Sequence, residues 1–179
     1  MPSRIEDYAL IGDCETAALV GRDGSIDWLC WPRFDSPACF APLLGSPENG
    51  RWLIAPAEES SSVTRRYVDD TLVLETTFTT AEGEVTLVDF MPPRVEEDGH
   101  EVSDLVRLVF GKRGNIQMKM ELVLRFDYGS AVPWVEKLPD GSGIGAVAGP
   151  DCVILHTPVG LRGQDKRTIA EFQVKEGET

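Results

Sequence analysis

The chain has 179 residues, 42% of them hydrophobic and 26% charged, which is enough to bury the core of one ordinary domain and far from a disordered composition. Thirty acidic residues against 17 lysines and arginines give a net charge of −13, a field that repels phosphate backbones and anionic lipid headgroups. Nucleic acid and membrane surfaces are therefore excluded as expected partners, and neutral substrates stay open.

The N-terminus, MPSRIEDYALIGD, carries no apolar stretch of secretory length, and no apolar run approaches the ~20 residues of a membrane span. A cytoplasmic location is the expectation. Asp23-Gly24 is a two-residue hairpin signal, because glycine tolerates the positive φ of a type I′ turn. It predicts that Glu15 to Arg22 pairs with Ser25 to Trp31, with Ile26, Trp28 and Cys30 on one face and Asp27, Leu29 and Trp31 on the other. The two tryptophans then lie on opposite faces. Pro32 ends the strand, and Ser36-Pro37 to Gly45 reads as a short helical segment, with Ser36 as its cap and Pro42 limiting its length.

Leu72 to Thr80 and Glu84 to Met91 flank a short glycine-containing loop and read as a hairpin. Glu58 to Ser62 and Pro92 to Ser103 read as acidic surface loops. From Ile116 the chain alternates, so that Ile116, Met118, Met120, Leu122 and Leu124 share one face and Gln117, Lys119 and Glu121 the other. Asp104 to Phe110, Val132 to Leu138, Cys152 to Thr157 and Thr168 to Val174 are further strands, with Gly141, Gly143 and Gly145 placed in a turn-rich loop. Such closely spaced short strands predict an all-β fold, a large antiparallel β-sandwich of two packed twisted sheets with at most one or two helical turns. Residues 1–179 read as one domain. The ending V-K-E-G-E-T resembles a hairpin turn awaiting its return strand, so the chain is expected to be the front piece of a longer protein.

Candidate chemistry concentrates in SIDWLCWPRFDSP, residues 25 to 37. In one reading Trp31, Arg33, Phe34 and Asp35 form a platform beside a sugar, an aromatic face for the apolar side of a pyranose and polar forks for its hydroxyls. In the other, Arg33 and Asp35 ion-pair and Ser36 caps, as corners commonly do. A glycosidase needs two carboxylates about 5–10 Å apart across the scissile bond, and Asp27 and Asp35 are the pair this stretch offers, on a weak signal. The four cysteines lack CxxC spacing and have two histidines for company, so neither a metal nor a redox role is expected, and the thiols are read as free and buried. No G-x-S-x-G elbow, P-loop or G-x-G-x-x-G fingerprint is present. Arg33-Phe34-Asp35 recurs as Arg125-Phe126-Asp127 without any repeat of structural period.

The block from Ile5 to Phe40, IEDYALIGDCETAALVGRDGSIDWLCWPRFDSPACF, closely resembles the start of bacterial trehalase-like and glucoamylase-like members of glycoside hydrolase family 15. LVLRFDYGSAVPWV, Leu122 to Val135, and the A-G-P-D of Ala148 to Asp151 resemble the same enzymes. The resemblance implies an N-terminal β-sandwich followed by a catalytic barrel of paired α-helices, which carries the acid and base and is absent from these residues. No catalytic residue is therefore assigned to this chain. In the parent enzyme the resemblance implies inverting hydrolysis of α-linked glucosides, trehalose first among them, without a cofactor.

The leading expectation is a non-catalytic domain, inactive alone, that packs on the barrel and rims its active site through Trp31, Arg33, Phe34 and Asp35. The alternative is an autonomous carbohydrate-binding module using Trp28, Trp31, Trp52 or Trp134. A homodimer is compatible with either, because exposed apolar surface finds partners.

Overall fold

A computed structural model describes residues 4–97 and 100–179. Among the described residues it contains antiparallel strands and four single 3₁₀ turns, at Ile5–Asp7, Pro42–Leu44, Pro47–Asn49 and Asp127–Gly129. The strands run in chain order as β1 (Tyr8–Gly12), β2 (Ala17–Gly21), β3 (Ser25–Cys30), β4 (Ala38–Phe40), β5 (Arg51–Pro56) and β6 (Ser62–Tyr67). They continue as β7 (Leu74–Thr79), β8 (Gly83–Phe90), β9 (Val95–Glu97), β10 (His100–Val102) and β11 (Val106–Val123). The last are β12 (Trp134–Lys137), β13 (Gly143–Ala148), β14 (Asp151–His156), β15 (Arg162–Gln164) and β16 (Arg167–Lys175).

The fold is an all-β antiparallel sandwich organised around β11. The alternation starting at Ile116 is the second half of this 18-residue strand, and the segment from Asp104 supplies its first half. The first half pairs with β8 and extends through β7 to β6; the second lies between β5 and β16. A bulge between Gly111 and Arg113 separates the halves, as bulges do where a strand bends from one sheet into another. The sheet containing β5 continues through β3 and β2 to β1, with β4 on β3 and β15 on β16, while β12, β13 and β14 form a separate small sheet. Ile11, Val20, Ile26 and Leu29 from one sheet meet Leu74, Phe78, Val85 and Leu87 from the other in a common core. Ile116, Met118, Met120, Leu122 and Leu124 are all buried in it, as their alternation requires. Each such side chain contributes about 1.5–3 kcal/mol through removal from water.

Several local expectations are corrected. The β2–β3 turn is not type I′: Gly24 has φ +82°, whereas Arg22 and Asp23 keep negative φ, and Gly24 N–H donates to Gly21 O at 3.0 Å. The extra turn residue produces a bulge, with Leu19 opposite Trp28 but Val20 opposite Ile26. Ile26 thereby joins Leu29 and Trp31 on the main core, while Trp28 packs with Cys30, Ala38 and Ala41. The tryptophans do lie on opposite sides, but strict alternation misplaces Ile26. The segment read as a helix after Ser36 is β4 plus the Pro42–Leu44 turn, because Ala38 to Phe40 gain a strand partner in β3 that no local propensity reveals.

Gly143 and Gly145 lie in β13 rather than a loop. A Cβ on Gly143 would stand 1.8 Å from Leu155 O, so the glycine permits the close pairing of β13 with β14. The predicted loop from Pro92 contains the short β9–β10 hairpin; Asp98 and Gly99 lie outside the described residues. All four cysteines are free, but only Cys30 and Cys39 are buried, with burial pushing the Cys39 thiol far up; Cys14 and Cys152 are exposed. Among the described residues no helix is long and apolar enough to cross a membrane.

Candidate functional site

The corner after β3 is organised by a carboxylate that sequence reasoning passed over. Asp13 follows β1, and its Oδ1 accepts the Glu15 and Thr16 N–H groups at 2.9 and 2.8 Å. This is the local turn that aspartate favours. Its Oδ2 accepts from Arg94 Nε and Ser103 Oγ, both at 2.9 Å. Burial pushes this carboxyl up, but bonds from the Thr16 amide, Arg94, the Glu15 amide and Ser103 outweigh it and hold the pKa below the ordinary range.

Trp31 is fixed through the same centre. Its Nε1 donates to Ser103 Oγ at 2.8 Å, giving a Trp31 to Ser103 to Asp13 chain, and its ring packs on the core. The Arg94 guanidinium also donates to Pro32 O, beyond the cis Trp31–Pro32 peptide. Phe34 N–H donates to Glu15 O at 3.0 Å, and Ser36 closes the turn by accepting the Arg33 N–H on its Oγ. Ser36 is thus a turn residue, not a helix cap.

Arg33 pairs with Glu15 at 3.2 Å and with Asp35 at 3.4 Å, both at the surface. The expected Arg33–Asp35 ion pair is present. Phe34 is 63% exposed. The structure therefore gathers Trp31, Arg33, Phe34 and Asp35 on one braced corner, with Trp31 as its inner anchor and the other three facing solvent. The charges of Arg33 and Asp35 are paired at the surface, where such ion pairs add little stability.

Asp27 belongs to a different environment, where its carboxylate accepts from Ser25 Oγ at 2.5 Å and Tyr8 OH at 2.8 Å. Both of its oxygens are engaged, one within β3 and one by Tyr8 of β1, whereas the Asp35 side chain is 85% exposed. Another cluster brings Ser142 Oγ within 2.7 Å of Asp140 Oδ1 and 3.1 Å of His156 Nδ1. The carboxylate here engages the serine rather than the imidazole, so the order of a nucleophilic triad is not met; Asp140 instead accepts the Ser142 amide in a surface turn.

The two sequence blocks that carry the resemblance meet in space. Trp28 lies 6.2 Å from Tyr128 between ring centroids, tilted by 44°, and Arg125 N–H donates to Cys39 O at 3.4 Å. Arg94 and Ser103 stand 81 and 90 residues from Asp13, and no sequence pattern links them to it. The Asp13-x-Glu15-Thr16 turn was the one available signal.

The trehalase of Mycolicibacterium smegmatis is 33% identical over 138 residues, covering 69% of this chain and 20% of that protein. Trehalase 1 of Sulfolobus acidocaldarius is 34% identical over 137 residues, covering 76% of this chain and 22% of its own. The trehalase of Mycobacterium tuberculosis is 40% identical over 79 residues, 44% of this chain and 12% of that one. The chain spans about a fifth of the length of the first two of these curated relatives. No solved structure matches it significantly. A family model described as trehalase-like, N-terminal, matches residues 1–168, and the chain belongs to that family.

Proposed function

We propose that residues 1–179 form the non-catalytic N-terminal domain of an α-glucoside hydrolase of family 15 type, acting on trehalose in the cytoplasm. The observation that carries this reading is the alignment of proteins named trehalase along only about a fifth of their length. Their remaining length is room for a catalytic α-helical barrel, which would supply the general acid and the base of an inverting hydrolysis. The domain's task is then mechanical: to pack against the barrel and, with Trp31 as anchor, present Arg33, Phe34 and Asp35 to the rim of its active site. The brace on Asp13 supports this, because a corner with a buried anchor holds exposed groups in a fixed geometry.

The test compares glucose release from trehalose and from maltotriose by this chain and by a full-length parent. The reading expects activity in the parent alone, with trehalose preferred. Within the parent, Arg33→Ala is expected to lower activity while leaving the melting temperature nearly unchanged. Activity in the isolated chain, or a parallel fall of activity and stability, contradicts the domain assignment or the corner's role respectively.

A further inference from the structure

Of the four tryptophans, three are committed to the fold. Trp52 lies under the Arg107 guanidinium, which is 5.2 Å from its ring centre, Trp31 anchors the corner, and Trp28 packs on Tyr128. Trp134 is different: it is 73% exposed at the start of β12. Among the described strands β12 is one edge of the small sheet and β15 an edge of the large one. Between them lies a cleft of about 740 Å³, inside the roughly 300–1,000 Å³ range of small-molecule sites. Leu124, Ile144 and Leu161 contribute apolar lining, and Trp134, Arg162 and Gln164 stand among its other walls.

One surface hydrogen bond orients the Trp134 ring. Its Nε1 donates to Glu136 Oε1 at 2.8 Å, two residues along the same strand, and Val147 is its cross-strand neighbour. An exposed aromatic plane beside amide, guanidinium and carboxylate groups matches a molecule with apolar C–H faces and hydroxyls that both donate and accept. The charges bordering the cleft are largely balanced by protein partners: Arg162 pairs with Glu171, Arg167 with Glu121, and Arg125 lies 3.9 Å from Glu48. This favours a neutral ligand over an anion.

The geometry points to a carbohydrate-binding subsite in this cleft, for a neutral oligosaccharide stacked on Trp134. The subsite is distinct from the Trp31–Asp35 corner and requires no catalytic partner, so its success or failure is separate from that of the domain assignment.

The experiment is a titration of the ¹⁵N-labelled chain with maltotriose, with trehalose, and with glycerol as a non-sugar control, following the four indole N–H resonances and the backbone amides of Ile144 and Leu161. The expected result is a saturable shift of the Trp134 indole and of those amides with at least one sugar and none with glycerol, while the Trp28 and Trp52 indoles stay in place. Trp134→Ala is expected to weaken binding roughly tenfold, the scale of one lost aromatic stacking contact. Its spectrum should otherwise remain that of the folded chain, because the side chain is exposed. No shift at tens of millimolar sugar, an equal response to glycerol, or an affinity unchanged by Trp134→Ala overturns the proposal.

Discussion

Arg107 on β11 and Asp89 on β8 face each other directly across the strand pair, with Nε 2.7 Å from Oδ1 and both side chains fully buried. The guanidinium also donates to Trp52 O at 2.5 Å and Gly24 O at 2.6 Å, so one side chain ties the β2–β3 turn, β5 and the second sheet together. Burying such a pair yields little net stability, but removing one partner strands a charge in the core. Asp89→Ala or Arg107→Met is expected to lower the unfolding free energy by about 3–5 kcal/mol. Urea denaturation of both single variants and of an Arg107→Met/Asp89→Leu double should show the double losing less than the sum of the singles. A loss under about 1 kcal/mol in either single variant would rule out this bridging role.

Asp13 ties acid stability to the corner. Its folded pKa lies below the ordinary 3.8, so at low pH the unfolded state binds the proton more readily than the folded one. The stability it contributes is complete above the ordinary value and disappears as the pH falls through the folded one. Asp13→Asn should therefore be less stable than the parent at neutral pH and should lose less stability on acidification below about pH 4. Urea midpoints at several pH values test this; superimposable acid limbs for the two proteins would refute it. Glu121 acts in the same direction: burial pushes it up, and hydrogen bonds from Arg51 and Arg167 more than reverse the effect.

Trp31→Phe keeps most of the apolar ring but loses the donor to Ser103. The expected cost is about 1 kcal/mol, that of one partly buried hydrogen bond. Ser103→Ala should cost at least as much, because it leaves the indole N–H and one Asp13 lone pair without this partner. Thermal unfolding of both variants checks the order.

Arg33→Ala in the isolated chain should change stability by less than about 0.5 kcal/mol, since both of its ion pairs are exposed. Denaturant midpoints distinguish this outcome from a structural role for the corner's outer residues.

Gly24→Ala should be disruptive despite its small size. The residue has φ +82°, and a Cβ would come within 2.2 Å of Ile54 O. A loss exceeding about 1 kcal/mol is expected, the range of alanine at an incompatible backbone position. A neutral result in chemical denaturation would mean the turn can rearrange freely.

The alternation from Ile116 to Leu124, the hairpin around Gly83 and the strands near residues 134, 152 and 168 were legible in the sequence, because each depends on which side of a pleat successive side chains occupy, a strictly local property. The family, too, was legible in the blocks Ile5 to Phe40 and Leu122 to Val135. Only the tertiary structure decided that Asp104 to Leu124 yields one strand serving two sheets, that Ala38 to Phe40 is a strand, and that a bulge turns Ile26 to the main core. It likewise decided that Asp13 is the centre of the corner and that Trp134, of the four tryptophans, is the one most open to solvent beside a cleft. Those outcomes depend on partners tens of residues away: a carboxylate's donors, a strand's neighbour and a ring's exposure are set where distant segments pack, and no window of local sequence contains both sides of such a contact.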